Sequence, residues 1–132
     1  MPSPRYRREV PGRYRLDAGR CTGCGKTLFP RRRICPDCRS EAVADLRLTP
    51  RGVVITATVI HVPPDDFIAQ APYALAVVET PEGARLMVQV VDCEPAAVQP
   101  GLAVALEFRR IRREGHSGIL CYGHKAVPLE VA

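Results

Sequence analysis

Four of the six cysteines stand in two C-x-x-C pairs, Cys21 with Cys24 and Cys35 with Cys38, and ten residues separate the pairs. Each pair can direct two sulfur atoms to one point, and four thiolates at about 2.3 Å close a tetrahedron around Zn(II). A single pair is also typical of redox enzymes, but two pairs at this distance favour a metal, with zinc as the prediction and iron or a redox pair as the alternatives. Because protein ligands fill all four positions, the pattern predicts a structural zinc and not a catalytic one.

Tight turns are favoured around these cysteines. Gly23 and Gly25 allow positive φ beside the first pair. We expect Thr27–Phe29 and Arg33–Ile34 to be short strands of a hairpin that turns near Pro30. A segment of about 25 residues cannot bury a core of its own, so the metal must supply its stability.

Three consecutive arginines, Arg31, Arg32 and Arg33, lie between the two cysteine pairs. They are either the solvated tip of a loop or a clamp for phosphate, since guanidinium offers a planar fork of donors. More arginines surround Tyr6 and Tyr14, where we predict a basic N-terminal helix that is broken at Pro11-Gly12.

The formal net charge of +5 is unevenly divided. Residues 1–51 carry twelve Arg and one Lys against five acids, a net +8, whereas residues 52–132 carry five Arg and one Lys against nine acids, a net −3. This asymmetry indicates two modules with different partners. No stretch approaches the roughly 20 apolar residues that cross a bilayer, and the first residues lack the apolar run of a secretory signal. We therefore expect a cytoplasmic protein that does not use a membrane.

The second part of the chain has the pattern of strands. Between residues 102 and 109, Leu102, Val104, Leu106 and Phe108 alternate with other residues and share one face. The segment Glu94–Gly101 lies between the third and fourth predicted strands. It is too short for the helix that many OB-folds carry between these strands. Five strands joined by loops fit a small closed Greek-key barrel of the OB type. The strands are predicted at residues 53–62, 73–80, 84–93, 102–109 and 119–127.

Nucleic-acid binding and catalysis are the first two functions to weigh. Barrels of this type stack bases on aromatic residues of the second and third strands, but Tyr73 is the only aromatic residue there. A catalytic thiol needs a histidine beside it, which no spacing demonstrates for Cys93 or Cys121. We interpret both cysteines as small buried hydrophobic residues and predict no catalytic residue. The loops 63–72 and 110–117 would flank the ligand face of the barrel.

The order of motifs resembles a prokaryotic family of OB-fold proteins with a rubredoxin-like zinc ribbon that is associated with acyl-CoA metabolism, and its archaeal-type branch most of all. The similar segments are RYRL, CTGCGKTLFPRRRICPDC, GVVITATVIHVPP, PYALAVVETPEGARLMVQVVDC and REGHSGILCYGHKAVP, which cover nearly the whole chain. The resemblance implies a mainly β protein. Residues 1–48 would form an N-terminal helical segment and the ribbon, and residues 49–132 would form a five-stranded OB barrel.

The resemblance also implies a function. Members of the archaeal-type branch are not enzymes but bridge an acetoacetyl-CoA thiolase and a 3-hydroxy-3-methylglutaryl-CoA (HMG-CoA) synthase of the mevalonate pathway in a hetero-oligomer. Their barrel helps to form a shared cavity for the pantetheine arm of CoA. The four cysteines carry over as metal ligands, while Arg39 stands where the family usually has glycine. Candidate ligand contacts are Phe67, Ile68 and Tyr73 for the pantetheine, and Arg31, Arg32 and Arg33 for the CoA phosphates. The alternative function is a nucleic-acid-binding protein with a zinc ribbon and an OB-fold.

Overall fold

The computed structural model describes residues 4–113, 115, 116, 118 and 120–129. The chain forms two compact units. The ribbon unit comprises Met1–Thr49 together with Thr80–Ala84, and the barrel unit comprises Pro50–Glu79 together with Arg85–Ala132. The predicted mainly β fold with a closed five-stranded barrel is confirmed. In the described part of the chain, no helix is long and apolar enough to cross a bilayer.

The ribbon unit begins with the helix α1, Pro4–Arg15. The predicted break at Pro11-Gly12 is wrong, because the helix passes through both residues. Arg5 and Arg13 each form an ion pair of 3.0 Å with Glu9, at i−4 and i+4. Such pairs stabilise a helix, and the second of them spans Pro11, where the proline removes one backbone hydrogen bond.

A three-stranded antiparallel sheet follows, with the order β2-β1-β3. Its strands are β1 Asp17–Cys21, β2 Thr27–Leu28 and β3 Val43–Arg47. The predicted hairpin between Thr27–Phe29 and Arg33–Ile34 is wrong: β2 pairs with β1, and Arg33–Ile34 is a bend. The cause is Arg31, whose stem packs over Gly19 and whose guanidinium bonds to β3. The loop is thereby drawn towards β3 and cannot run beside β2.

The barrel unit closes in the order β4-β5-β6-β8-β7. Neighbouring strands are antiparallel except β6 and β8, which pair in parallel where Val90 faces Ala126. Alternate side chains fill the interior, as in β5, where Ala74, Ala76 and Val78 are buried. The strands are β4 Arg51–Ile60, β5 Tyr73–Glu79, β6 Arg85–Val90, β7 Ala103–Arg113 and β8 Leu120–Pro128.

All five predicted strands of the barrel are present, with shifted ends. The largest shift is in β7, which reaches Arg113, so the predicted loop 110–117 begins later. Residues 114, 117 and 119 of the predicted loop and last strand lie outside the described residues. The loop between β4 and β5 contains a 3₁₀ turn, Asp65–Gln70. The segment between β6 and β7 holds only the short 3₁₀ turn Pro95–Ala97, as its length predicted.

Candidate functional site

The structure brings the four predicted metal ligands together. All four Sγ atoms lie within 4.8 Å of one another. The Sγ atoms of Cys21 and Cys38 are 3.3 Å apart, and those of Cys24 and Cys35 are 3.6 Å apart. Sulfur atoms at zinc-bond distance from one centre form a tetrahedron with edges of about 3.8 Å. The four cysteines are therefore positioned to bind one metal ion.

The first C-x-x-C turn is closed by two backbone hydrogen bonds. The amide of Cys21 donates to the carbonyl of Lys26 at 2.9 Å, and the amide of Gly25 donates to the carbonyl of Cys21 at 2.8 Å. Gly25 has a φ of 77°, as predicted, but Gly23 does not have a positive φ. The turn needs one left-handed residue, directly after its second cysteine, and that position is Gly25.

The second C-x-x-C turn repeats the first. The amide of Cys35 donates to the carbonyl of Ser40, and the amide of Arg39 donates to the carbonyl of Cys35, both at 3.0 Å. Arg39 occupies the position equivalent to Gly25 and has a φ of 61°. The left-handed turn is thus formed with an arginine in a conformation that favours glycine.

One half of the sulfur cluster is buried in the small core of the ribbon unit. Cys21 and Cys35 are fully buried and pack with Leu28, and Val43 packs against the three of them. Cys24 and Cys38 are exposed. The metal site is therefore continuous with the apolar core on one side and exposed on the other.

Hydrogen bonds divide the four thiols into two kinds. The backbone amide of Cys24 and then the Cys38 thiol lower the pKa of Cys21 to about 6. The amide of Cys38 and then that of Asp37 lower the pKa of Cys35. The Lys26 amide acts to lower the pKa of Cys24, but the Cys35 thiol and burial raise it, with a net value of about 12. Four sulfurs this close cannot all ionise unless a cation lies among them, and a soft dication suits the set.

The three predicted phosphate-binding arginines differ in their surroundings. Arg31 forms an ion pair with Asp45 at 2.6 Å and donates to the carbonyl of Val43 at 3.1 Å. It therefore holds the loop between the cysteine pairs against β3. Arg32 and Arg33 are exposed.

The three predicted apolar contacts lie at one loop of the barrel unit. Phe67 and Ile68 belong to the 3₁₀ turn Asp65–Gln70, and Tyr73 begins β5. The rings of Phe67 and Tyr73 are tilted against each other with centroids 6.0 Å apart, and Ile68 is 61% exposed. The same turn is tied to β7, since Asp66 pairs with Arg112 at 2.5 Å.

Cys93 and Cys121 are half-buried and not fully buried as predicted. Burial and then the carboxylates of Asp92 and Glu94 raise the pKa of Cys93. A raised pKa lowers the thiolate fraction and makes this cysteine a poor nucleophile.

A cluster of three rings on β7 and β8 is absent from the sequence-based predictions. Phe108 and Tyr122 are stacked, with centroids 5.5 Å apart and planes inclined by 13°. His124 meets Phe108 edge-on at 5.9 Å. The alternation placed Phe108 on the same face as Leu106, which is buried, yet Phe108 is 51% exposed. Its register partner is His124, in a part of the hairpin beyond the buried pair Leu106 and Ala126.

Comparison with known proteins identifies both units. Residues 8–44 match the family described as the rubredoxin-like zinc ribbon domain of ChsH2, and residues 47–109 match the family described as its C-terminal OB-fold domain. The predicted zinc ribbon and OB-fold, and the resemblance to this family, are thereby confirmed.

Individual relatives extend this similarity to most of the chain. A probable enoyl-CoA hydratase alpha subunit of Thermomonospora curvata is 31% identical over 100 residues, 76% of this chain and 31% of the relative. A chain in the solved structure of an Ltp2-ChsH2(DUF35) aldolase superposes with a TM-score of 0.67 at 28% identity, covering 92% of this chain and 89% of that one. A DUF35 domain-containing scaffold protein of Methanocaldococcus jannaschii is 44% identical over 124 residues, 93% of this chain and 88% of the relative. The chain belongs to the family of DUF35 domain-containing scaffold proteins.

Proposed function

We propose that the chain is a non-catalytic scaffold subunit that binds thiolase-fold enzymes, with an acetoacetyl-CoA thiolase and an HMG-CoA synthase as its partners. The observation that carries the proposal is the 44% identity to a DUF35 scaffold protein across 93% of this chain. The motif resemblance to the archaeal-type branch of the family supplies the identity of the two partner enzymes.

The metal of this scaffold is a structural zinc held by Cys21, Cys24, Cys35 and Cys38. The fit of the sulfur positions to a tetrahedron supports zinc, and thiolates suit a borderline-soft dication. When bound, the ion neutralises thiolate charge and cross-links the two C-x-x-C turns. With four protein ligands it has no open position for substrate, so any chemistry belongs to the partner enzyme.

The two modules have separate tasks in this proposal. Residues 1–48 form the partner-binding module, and its charge of +8 over residues 1–51 suits an acidic surface on an enzyme. Residues 49–132 form the barrel module, which contributes to a cavity for the pantetheine arm of an acyl-CoA. Phe67, Ile68 and Tyr73 supply apolar contact to that arm, and Arg32 and Arg33 are the charged candidates for the CoA phosphates.

Names of related proteins support an acyl-CoA setting. One relative is a subunit of an enoyl-CoA hydratase, and the superposed chain belongs to an aldolase assembly that contains Ltp2. A scaffold that holds two enzymes over one cavity raises the effective concentration of the shared intermediate at the second active site. This benefit is largest for acetoacetyl-CoA, since its cleavage is favoured over its synthesis.

Affinity capture from the native host tests the proposal. The tagged full chain should co-purify with a thiolase-fold enzyme in a fixed stoichiometry, identified by mass spectrometry, and the isolated chain should turn over no acetoacetyl-CoA. A Cys35→Ser variant should lose the partner, whereas an Arg85→Gln variant in the barrel unit should keep it. Activity of the isolated chain would contradict the proposal. Single-stranded DNA binding that survives moderate salt would favour the nucleic-acid alternative instead.

A further inference from the structure

The extended hairpin of β7 and β8 has two faces of different chemistry. Side chains at directly paired positions lie on the same face, and Phe108 pairs with His124 while Arg110 pairs with Tyr122. A bulge between Arg110 and Arg112 changes the alternation, so Arg113, the partner of Leu120, returns to the face of Tyr122. We call this the aromatic face, consisting of Phe108, Arg110, Arg113, Leu120, Tyr122 and His124.

Arginines on the opposite face are paired with acids. Arg109 contacts Asp92 at 2.7 Å and Glu107 at 2.9 Å, and Arg112 contacts Asp66. These ion pairs compensate the charge of the two arginines on that side of the hairpin.

Arginines on the aromatic face have no such partners. Within the described residues, neither Arg110 nor Arg113 is in an ion pair. Arg113 instead donates to the carbonyl of Gly115 at 3.2 Å and lies 3.4 Å from Nδ1 of His116. The aromatic face therefore combines positive charge with flat rings.

The stacked rings are large enough and open enough to receive a planar ligand. Phe108 and Tyr122 are 51% and 40% exposed, although they continue the inward side of the strands that buries Leu106 and Ala126. Two nearly parallel rings fix each other's orientation, so a third ring can stack with little loss of side-chain freedom. A planar heterocycle that carries phosphates satisfies both the rings and the arginines.

We propose that the aromatic face binds the nucleotide end of CoA, with the adenine stacked on Phe108 and Tyr122 and the phosphates on Arg110 and Arg113. The choice of CoA among nucleotides rests on the proposed function, but the stacking site itself does not. This assignment adds Arg110 and Arg113 of the barrel unit to the charged candidates for the CoA phosphates. It also puts them in the same unit as the pantetheine candidates Phe67 and Tyr73.

A mononucleotide fits this site better than a nucleic-acid strand. Proteins that bind single strands need a succession of stacking rings along a basic groove. Among the described residues of the hairpin, one pair of rings is stacked, and residues 52–132 carry a net charge of −3. The negative charge elsewhere in residues 52–132 would repel a long polyanion. A single nucleotide is small enough to contact only the arginines of the aromatic face.

Titration of the zinc-loaded full chain with adenosine 3′,5′-bisphosphate tests the site. Binding is measured by calorimetry and by changes in the NMR signals of the aromatic rings. We expect saturable binding with shifts at Phe108 and Tyr122, and about tenfold weaker binding in Phe108→Leu and in Tyr122→Leu. The double variant Arg110→Gln/Arg113→Gln should also bind more weakly. Arg7→Gln/Arg8→Gln, which removes the same charge from exposed positions of α1, should bind like the wild type.

Several results would overturn the assignment. They are the absence of saturable binding at millimolar nucleotide, unchanged affinity in both folded leucine variants, or a loss of affinity that appears in Arg32→Gln/Arg33→Gln but not in Arg110→Gln/Arg113→Gln. Affinity for oligoadenylate that grows with its length would identify a strand-binding surface instead. Capture of a partner enzyme is measured in a separate experiment. If the chain captures its partner but does not bind the nucleotide, only the nucleotide site is rejected. If it binds the nucleotide but captures no partner, only the proposed scaffold function is rejected.

Discussion

Replacing Arg39 with glycine should stabilise the zinc-loaded ribbon unit. Arg39 has a φ of 61° and an exposed side chain, and its amide donates to the carbonyl of Cys35 at 3.0 Å. That hydrogen bond uses only the backbone, so glycine retains it. The substitution removes the contact between Cβ and the backbone that makes left-handed conformations unfavourable for other residues.

The expected gain follows from two opposing terms. Relief of the left-handed conformation contributes about 1–2 kcal/mol. The larger conformational freedom of glycine in the unfolded chain offsets about 0.5–1 kcal/mol of this. The net stabilisation of Arg39→Gly should therefore be about 0.5–1 kcal/mol, and zinc should be harder to remove by the same amount.

The equivalent position in the first turn provides a matched control. Gly25 has a φ of 77°, and a Cβ there would meet no atom within 4 Å, so Gly25→Arg isolates the cost of the conformation. Chelator competition for zinc and thermal unfolding should rank the variants as Arg39→Gly, wild type, Gly25→Arg. An Arg39→Gly variant that loses zinc more readily than the wild type would refute the reasoning, since the side chain would then stabilise the turn.

Three further predictions concern the two units. Cys35→Ser should abolish stoichiometric zinc binding in elemental analysis and unfold the ribbon unit, while far-UV circular dichroism retains the barrel signal, because this sulfur is buried in the ribbon core. Gly52→Ala should destabilise the barrel by about 1–3 kcal/mol in urea unfolding, since its Cβ would lie 2.5 Å from the carbonyl oxygen of Glu79; Gly123→Ala, at 3.1 Å from a flexible side chain, should cost less. Lys125→Met should raise the free energy of unfolding by roughly 1 kcal/mol at pH 7. Burial first, and then the neighbouring arginines, lower the pKa of Lys125 in the folded chain. Between this lowered pKa and the ordinary pKa of lysine, the unfolded chain binds more protons than the folded chain, so the stability of the wild type should rise with pH. The variant should not show this rise.

Local patterns were sufficient to predict the metal ligands and the strands of the barrel. Two C-x-x-C turns bring their sulfurs together through bonds that span at most five residues, so their spacing alone specifies the geometry. Alternation along β5 and β7 likewise identifies which side chains share a face. These features depend on residues that are close together in the chain, so they can be predicted from a single sequence.

Features set by distant contacts could not be predicted in this way. The pairing of β1 with β3 joins Cys21 to Val43, and the bend at Arg33–Ile34 follows from the contact of Arg31 with Asp45. The helix α1 continues through Pro11 because ion pairs compensate a local defect. Alternation placed Phe108 on the face of Leu106 but could not show that the hairpin extends beyond the buried interior at that point.

Metal and ligand contacts belong to different units of this scaffold, and that separation limits what each can do. The ribbon core contains two of the metal-site cysteines, so zinc, core packing and the shape presented to a partner are linked. The aromatic face is built on the β7–β8 hairpin, which is held by backbone pairing and by the ion pairs of its opposite face. Loss of zinc should therefore weaken partner binding without changing the nucleotide site, because the sulfur cluster belongs to the ribbon unit and the aromatic face to the barrel unit. A scaffold organised in this way can retain its ligand surface in the free state and acquire function only when the ribbon holds an enzyme beside it.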